Sequence, residues 1–183
     1  MPSAGPEHAH TMDLQALQYP AGKFQRPEAY IANAVREQIQ VIRTFPAELT
    51  AEATALSQLQ LNTTYRPGGW TTRQVIHHCA DSHMNSFIRF KLALTEDNPT
   101  IKPYQEDAWA VMPDYEEDIQ YSLMIIQGVH ARWTTLLEKM QPAEFERTVF
   151  HPEKGRRIPL FELLALYAWH CRHHLAHVRL VSR

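Results

Sequence analysis

The segment Trp169–His177 carries four of the 11 histidines of this 183-residue chain. On a helical wheel of about 100° per residue, His170, His173, His174 and His177 share one stripe with apolar residues, so the stripe should face the core. An unpaired buried polar group costs about 1–3 kcal/mol, and one metal ion would satisfy several imidazoles at once. Because residues i and i+4 are neighbours on a helix, His170 and His174 are placed to bind the same ion.

A second cluster, HHCADSH, begins at His77 in a predicted helix over residues 72–95. On its wheel His78 lies on a polar stripe, which either faces solvent or lines a wet pocket. If a bundle brings His78 opposite His170 and His174, three imidazoles share an ion that keeps open coordination positions. That arrangement is typical of catalytic rather than structural zinc sites. The other members of the stripe are Gln74, Asp81, Ser82, Asn85 and Arg89.

The remaining histidines and both cysteines are predicted not to be ligands. His83 lies about 140° from His78 on the wheel, and each cysteine lies about 100° from the histidine beside it. A thiolate can bind a soft metal, but buried core cysteines are the simpler interpretation. The residues concerned are His8, His10, His83, His130, His151, Cys79 and Cys171.

Periodicity predicts an all-α protein with four substantial helices and a possible small hairpin before the last one. Pro46 is expected to end or kink the first helix, with a short helix following it. Metal sites in four-helix bundles are commonly built from side chains on facing helices. The predicted elements are a helix from Pro27, a short helix over 47–58, a helix over 72–95, a helix from Asp114 to Met140, a hairpin over Thr148–Ile158 and a helix from Pro159 to Val181.

Length and composition indicate one domain. Residues 1–21 are rich in Pro, Ala, Gly and polar residues and are predicted to form a poorly ordered arm, with a single bundle domain over 22–183. A net charge of −2 favours neither nucleic acid nor an anionic membrane. Neither a signal peptide nor an apolar run of membrane-spanning length is seen. These features predict a cytoplasmic protein with reduced cysteines.

Long sequence words carry a family resemblance from near Gly22 to near Leu180. They are YRPGGWT from Tyr65, QVIHHCADSHMN from Gln74, RFKLALTE from Arg89, PTIKPY from Pro99, and the segment Trp169–His177. With these words the chain resembles the DinB/YfiT-like superfamily, and most closely its YfiT-type metal-dependent hydrolases, also called bacillithiol transferases.

The resemblance implies an up-down-down-up four-helix bundle that binds one divalent ion through His78, His170 and His174. It also implies a homodimer. His77 is the alternative first ligand, because the histidine doublet allows the alignment to shift by one residue. His173 and His177 would then line the pocket or orient the ligands.

An ion with open positions can activate water, giving a hydrolase, or a low-molecular-weight thiol, giving an S-transferase of detoxification. Asp81 is the candidate general base, and Arg89 the candidate anchor for an anionic substrate. The plainer interpretation of Asp81 is a carboxylate on the helix surface, and that of Arg89 is a member of a structural ion pair. Gln74, Asn85 and Tyr104 are candidate pocket residues. The loop with Tyr104, Glu106 and Trp109 either covers the pocket or is purely structural.

The opposing hypothesis is a non-catalytic metal-binding protein of the stress response, in which a fourth protein ligand would close the coordination sphere. A histidine-lined core without metal is a third interpretation. Zinc and nickel both accept imidazole and water ligands, so the predicted cofactor is one divalent ion of either kind.

Overall fold

Four long helices dominate the computed structural model, which describes residues 13–182. Short helices, two 3₁₀ turns (Pro113–Glu116 and Pro142–Glu146) and one antiparallel hairpin connect them. In chain order the elements are α1 (Leu14–Gln18), α2 (Ala32–Thr54), α3 (Gln58–Leu61), α4 (Thr72–Thr95), α5 (Glu106–Trp109), α6 (Ile119–Lys139), β1 (Thr148–His151), β2 (Arg156–Pro159) and α7 (Leu160–Val181).

Each long helix packs against two others. Helix α2 packs on α6 and α7, and α4 also packs on α6 and α7, so α2 and α4 lie on opposite corners. The predicted all-α, up-down-down-up four-helix bundle is confirmed. Its centre is filled by side chains with almost no exposure, among them Ile42, Phe45, Phe90, Trp133 and Leu164. Because α4 packs on α7, the two helices that carry the histidine clusters face each other.

Local sequence explains where the helices begin. Thr71 caps α4 through a reciprocal pair of hydrogen bonds with Gln74, which accounts for the correctly predicted start. Asp118 caps α6, so this helix begins at Ile119 rather than near Asp114, whose neighbourhood forms a 3₁₀ turn instead.

Pro46 does not end its helix, because α2 continues through it to Thr54. The prediction of a separate short helix after Pro46 was therefore wrong. Proline removes the hydrogen bond to the carbonyl four residues earlier, here that of Ile42. That carbonyl accepts a hydrogen bond from His130 Nδ1 at 2.6 Å instead. Buried Phe45 and Leu49, on either side of Pro46, hold both halves of the helix to the core.

The described part of the predicted arm is folded onto α7. Asp13 caps α1, and the carbonyl of Gln18, at the end of that helix, accepts from His177 Nε2 at 3.2 Å. The indole of Trp169 also donates to the carbonyl of Gly22 at 2.9 Å. Residues 13–21, which were predicted to belong to the poorly ordered arm, therefore pack against the bundle. Residues 1–12 lie outside the described part of the chain.

The predicted hairpin is present, with Thr148 pairing Pro159 and His151 pairing Arg156. Arg156 joins the hairpin to α7 by donating to both carboxylate oxygens of buried Glu162, at 2.9 and 2.5 Å.

None of the helices within residues 13–182 has both the length and the apolar character needed to cross a membrane.

Candidate metal centre

Three histidines meet between α4 and α7. Nε2 of His78 lies 3.1 Å from Nε2 of His170. The ring centroids of His170 and His174 are 4.3 Å apart, and those of His78 and His174 are 5.0 Å apart. One nitrogen from each ring lies within 4.8 Å of the other two. The structure thus brings together the three side chains that the sequence predicts as ligands.

These imidazoles are in the protonation state that metal binding requires. Burial lowers the pKa of His78 to about 4, and it lowers the pKa of His170 and of His174 well below the ordinary value. All three rings are therefore neutral at pH 7, and a neutral imidazole is the form that binds a metal ion.

Hydrogen bonds occupy one nitrogen of His170 and one of His174 on the side away from the triad. Nδ1 of His170 is paired with Nε2 of His83 at 2.9 Å. Nδ1 of His174 is paired with Nδ1 of His177 at 3.3 Å. Nδ1 of His78 is buried and has no partner among the described residues, while its Nε2 faces His170. For His170 and His174 this leaves Nε2 to bind an ion, and for His78 the Nε2 atom is the nitrogen that faces His170.

The donor set fits a divalent transition metal. Two nitrogens bound to one tetrahedral zinc at about 2.0–2.1 Å lie about 3.3 Å apart, close to the 3.1 Å between His78 and His170. The short distance needs a proton or a cation between the two nitrogens, because two bare lone pairs would repel each other. Three imidazoles suit zinc, nickel, copper or iron.

A cavity of about 1210 Å³ opens onto the triad. The segment from Pro103 to Ala108 forms part of its wall; it contains Tyr104 and Glu106 of the predicted covering loop, whereas Trp109 does not line the cavity. The indole of Trp70 holds this loop by donating to Asp107 Oδ1 at 3.1 Å, and its ring packs 4.8 Å from that of His78. Besides the triad, the polar side chains in the wall include Arg66, Ser82, Arg89, Tyr104, Glu106, His151, Lys154, Tyr167 and His173.

Three of the predicted pocket residues line this cavity. Arg89 donates to the carbonyl of Lys102 at 3.3 Å. His173 stacks on Trp169, with centroids 4.4 Å apart. The buried hydroxyl of Tyr104 makes no hydrogen bond of normal geometry to a described residue, although the Ser82 side chain lies near it, so it is available to a bound molecule.

The other predicted pocket residues do not line this cavity and make their contacts within the protein. Gln74 caps α4 and donates to the carbonyl of Ala110 at 2.8 Å. Asn85 donates to the carbonyl of Asp81 at 2.9 Å. His177 bonds His174 and stacks on Tyr65, with centroids 3.8 Å apart. It therefore orients a candidate ligand.

Asp81 and His77 line a separate cavity of about 180 Å³. Asp81 accepts a hydrogen bond from the hydroxyl of Tyr115 at 2.7 Å. His77 pairs with Ser122 Oγ at 2.7 Å and with the carbonyl of Glu117 at 3.2 Å. The structure does not bring either residue to the triad. His78 is therefore the histidine of the doublet that faces α7, and the predicted role of Asp81 as a base has no geometric support.

Two histidines of the site were missed by sequence reasoning. His83 and His130 are buried, and Nδ1 of His83 lies 2.7 Å from Nε2 of His130. The signal was present, since His130 falls on the apolar face of its helix between Ile126 and Trp133. A histidine predicted to face the core needs a polar partner, and that requirement identifies the pair.

Both cysteines are buried and unpaired within residues 13–182. Burial raises the pKa of the Cys79 thiol and the pKa of the Cys171 thiol. Neutral thiols in the core agree with the interpretation of both as core residues, since the thiolate is the form that binds metal.

Comparisons with known proteins agree with this geometry. The model of the DinB superfamily matches residues 15–178. A Bacillus mycoides protein named "Putative metal-dependent hydrolase" is 48% identical over 165 residues, which cover 90% of this chain and 95% of the relative. A protein of the same name from Bacillus thuringiensis subsp. konkukian is 49% identical with the same coverage.

A solved structure is also similar. It is YfiT from Bacillus subtilis, described as a "probable metal-dependent hydrolase with an unusual four-helix bundle topology". The two structures superpose with a TM-score of 0.88 at 44% sequence identity, covering 92% of this chain and 97% of the other.

Proposed function

The chain belongs to the DinB superfamily, and on that premise we propose that it is a metal-dependent hydrolase whose divalent ion is held by His78, His170 and His174. The observation that carries the proposal is the convergence of three neutral imidazoles, buried His78 and His174 and half-buried His170, on one wall of a large cavity. Among residues 13–182, the group around the His78–His170 contact contains three side chains. Three protein ligands leave positions for water or substrate, as in catalytic sites.

This open arrangement favours an enzyme over a non-catalytic metal-binding protein, which would close the coordination sphere with a fourth ligand. When bound, the ion would lower the pKa of a water molecule or polarise a bond of the substrate. The protein side chains would bind and orient the substrate. Arg89 is the proposed anchor for an anionic group, and the free hydroxyl of Tyr104 is a hydrogen-bond donor.

Glu106 is the carboxyl group that we propose as proton acceptor in place of Asp81. It lines the triad cavity as an exposed residue, and partial desolvation there raises the pKa of its carboxyl group, with Asp107 acting in the same direction and Arg89 and Lys154 opposing it. A raised pKa brings a carboxylate closer to the range in which a general base is effective near neutral pH.

Transfer of a low-molecular-weight thiol is the second form of the proposal. The cavity of about 1210 Å³ exceeds the roughly 300–1,000 Å³ of a typical single-ligand pocket. That space favours two molecules side by side, an electrophile and a thiol. In this form Arg89 or Lys154 would anchor the thiol's anionic groups, and no other part of the site changes.

The test is metal content by mass spectrometry on protein purified without an affinity tag. We expect about one equivalent of zinc or nickel in the wild type, almost none in His174→Ala, and about one in His151→Ala. His151 is a matched control because it lines the same cavity outside the triad. Hydrolysis and thiol-transfer assays on the loaded protein then separate the two forms. Equal metal content in His174→Ala and the wild type would contradict the site.

The homodimer and the cytoplasmic location stay proposals from the sequence. Sedimentation velocity of the full chain tests the first, with a mass of about twice 21.2 kDa expected.

A further inference from the structure

An unbroken row of hydrogen bonds runs from the backbone of α2 to the candidate metal centre. The carbonyl oxygen of Ile42 lies 2.6 Å from Nδ1 of His130. Nε2 of His130 lies 2.7 Å from Nδ1 of His83, and Nε2 of His83 lies 2.9 Å from Nδ1 of His170. We call His130, His83 and His170 the histidine chain. It crosses the core from α6 through α4 to α7.

The row of hydrogen bonds begins at the carbonyl of Ile42 because Pro46 is four residues later in the same helix. Elsewhere in a helix, the amide N–H of residue i+4 occupies the carbonyl of residue i. Proline has no N–H, so the carbonyl of Ile42 lacks its helical donor. His130 supplies a donor from the neighbouring helix. The proline that the helix tolerates thus creates the acceptor on which the row depends.

The carbonyl also decides the position of every proton along the row. A carbonyl oxygen only accepts, so Nδ1 of His130 must donate. A neutral imidazole carries one proton, so Nε2 of His130 must accept from Nδ1 of His83. The same step repeats once more, and Nε2 of His83 accepts from Nδ1 of His170. The proton of His170 is then on Nδ1, and its Nε2 carries a lone pair directed at His78.

Within residues 13–182, the nitrogens of His83 and His130 make no hydrogen bonds other than those of this row. His83 has no exposed surface and His130 is 1% exposed, so water does not compete for their nitrogens. Phe45 and Trp133 pack around them, with ring centroids 5.3–6.5 Å from those of the two imidazoles. Reversing one ring would place two N–H groups, or two lone pairs, face to face inside an apolar core.

We propose that His83 and His130 are positioning residues for the metal centre, which fix His170 in the Nδ1–H tautomer with the Ile42 carbonyl as their anchor. They therefore present Nε2 of His170 to the ion without touching the ion or the substrate. The link to metal binding rests on the function proposed above. The tautomer itself is a property of the metal-free protein and does not.

A second metal ion is the competing explanation, since His83, His130 and Cys171 also lie within 4.8 Å of one another. Every ring nitrogen of His83 and His130 is already paired at hydrogen-bond distance. An ion there would have to break at least two of these bonds in a fully buried site. The hydrogen-bonded row uses the same atoms without leaving any nitrogen of the two rings unpaired.

The first experiment is long-range ¹H–¹⁵N NMR of the imidazoles in metal-free protein. His130, His83 and His170 are expected to show a protonated Nδ1 and an unprotonated Nε2. Resonances are assigned with variants in which one histidine at a time is replaced. Protonation of His170 at Nε2, or averaging between its two tautomers, would overturn the proposal. This readout does not depend on whether the protein binds metal.

The second experiment compares two amide substitutions of His83 that differ in reach. In His83→Gln the amide oxygen stands near the position of Nε2 and still accepts from His170. In His83→Asn the amide stands near Nδ1 and reaches only His130. Loss of a ligand's hydrogen-bond partner costs about 10–100-fold in metal affinity. We expect that loss for His83→Asn, and an affinity within a few-fold of wild type for His83→Gln.

Affinities are measured by competition with a chromophoric chelator, and folding by circular dichroism. An equal loss in both variants, or no loss in either, would contradict a positioning role. A wild type with two equivalents of metal, one of them lost in both variants, would establish the second ion instead. If neither variant folds, the NMR measurement of the His170 tautomer in the wild type alone tests the proposal. A wild type that binds no metal but shows the expected tautomers would refute the proposed function and leave the histidine chain intact.

Discussion

Nδ1 of His130 lies 2.6 Å from the carbonyl oxygen of Ile42, in a core from which water is excluded. This contact joins a helix of the bundle framework to the row of imidazoles that ends at the candidate metal centre. It exists because Pro46 withdraws the amide that would otherwise occupy the carbonyl. The proline that interrupts the hydrogen bonding of α2 therefore leaves free the acceptor on which this row of imidazoles depends.

Replacing Pro46 with alanine should change stability and metal affinity in opposite directions. Proline is about 3 kcal/mol less favourable than alanine inside a helix, so the thermal midpoint of the metal-free Pro46→Ala variant should rise. The restored amide would share the Ile42 carbonyl with His130, so metal affinity should fall by up to about tenfold. Differential scanning calorimetry and chelator competition measure the two effects. A variant with unchanged affinity and unchanged tautomers would show that the anchor does not depend on Pro46.

Acid should destabilise the metal-free protein below about pH 6.5. Burial lowers the pKa of His130 to about 4, against about 6.5 in the unfolded chain. The unfolded state therefore binds the proton first as pH falls, and each such imidazole removes about 1.4 kcal/mol of stability per pH unit between these values. The groups facing His130 are the Ile42 carbonyl, His83 and two apolar rings, Phe45 and Trp133.

Urea unfolding at half-unit pH steps measures this slope. His130→Asn keeps a donor near Nδ1 for the carbonyl but cannot be protonated, so its stability should fall less steeply between pH 6.5 and 4. Parallel slopes for the variant and the wild type would show that His130 is not one of the groups responsible.

Removing the hydroxyl of Tyr104 should stabilise the protein and impair its reaction. The hydroxyl is buried and unpartnered among the described residues, and such a group costs about 1–3 kcal/mol. Tyr104→Phe should therefore raise the free energy of unfolding by about 1 kcal/mol and lower kcat/KM. Tyr121→Phe is the control, because Tyr121 is 57% exposed and lies outside the triad cavity. A destabilised Tyr104→Phe would mean that the hydroxyl has a partner in the fold.

The contact between Arg156 and Glu162 should fasten the hairpin to α7. The Glu162 side chain is 8% exposed, and Arg156→Met would leave its carboxylate buried without its cation. We expect a loss of about 2 kcal/mol in urea unfolding, below the range for fully buried pairs because Arg156 is itself 33% exposed. The exposed neighbour Arg157→Met should change stability by less than about 0.5 kcal/mol. Equal effects of the two substitutions would remove the ion pair as the cause.

Much of the bundle could be predicted from local sequence. Thr71 and Thr72, as candidate caps, predicted the start of α4, and Pro159 predicted the start of α7, because caps act over three or four residues. Pro46 was the failure. Its local cost was judged correctly, but packing of Phe45 and Leu49 on either side of it keeps the helix continuous. Burial by distant partners is not visible in a local pattern.

The candidate site likewise has residues whose placement could be predicted from the sequence and residues whose placement could not. The i, i+4 pair His170 and His174 could be predicted because one helix fixes their spacing. Asp81 and Asn85 share a polar stripe with His78 on the wheel, but the structure places Asp81 in another cavity and bonds Asn85 to the backbone. A stripe spanning about 120° faces more than one neighbour, and a wheel does not show which residues face which.

The sequence by itself determined the helices, their apolar faces and the imidazoles available to each face, because these depend on spacing within single segments. Only the tertiary structure decided which imidazoles meet. His78 meets His170, His83 meets both His130 and His170, and the row ends at the carbonyl of Ile42. The two residues of each contact are 47 to 92 positions apart in the chain. Their contacts follow from how four helices pack, and packing fixes the one proton arrangement that a buried row of neutral rings allows.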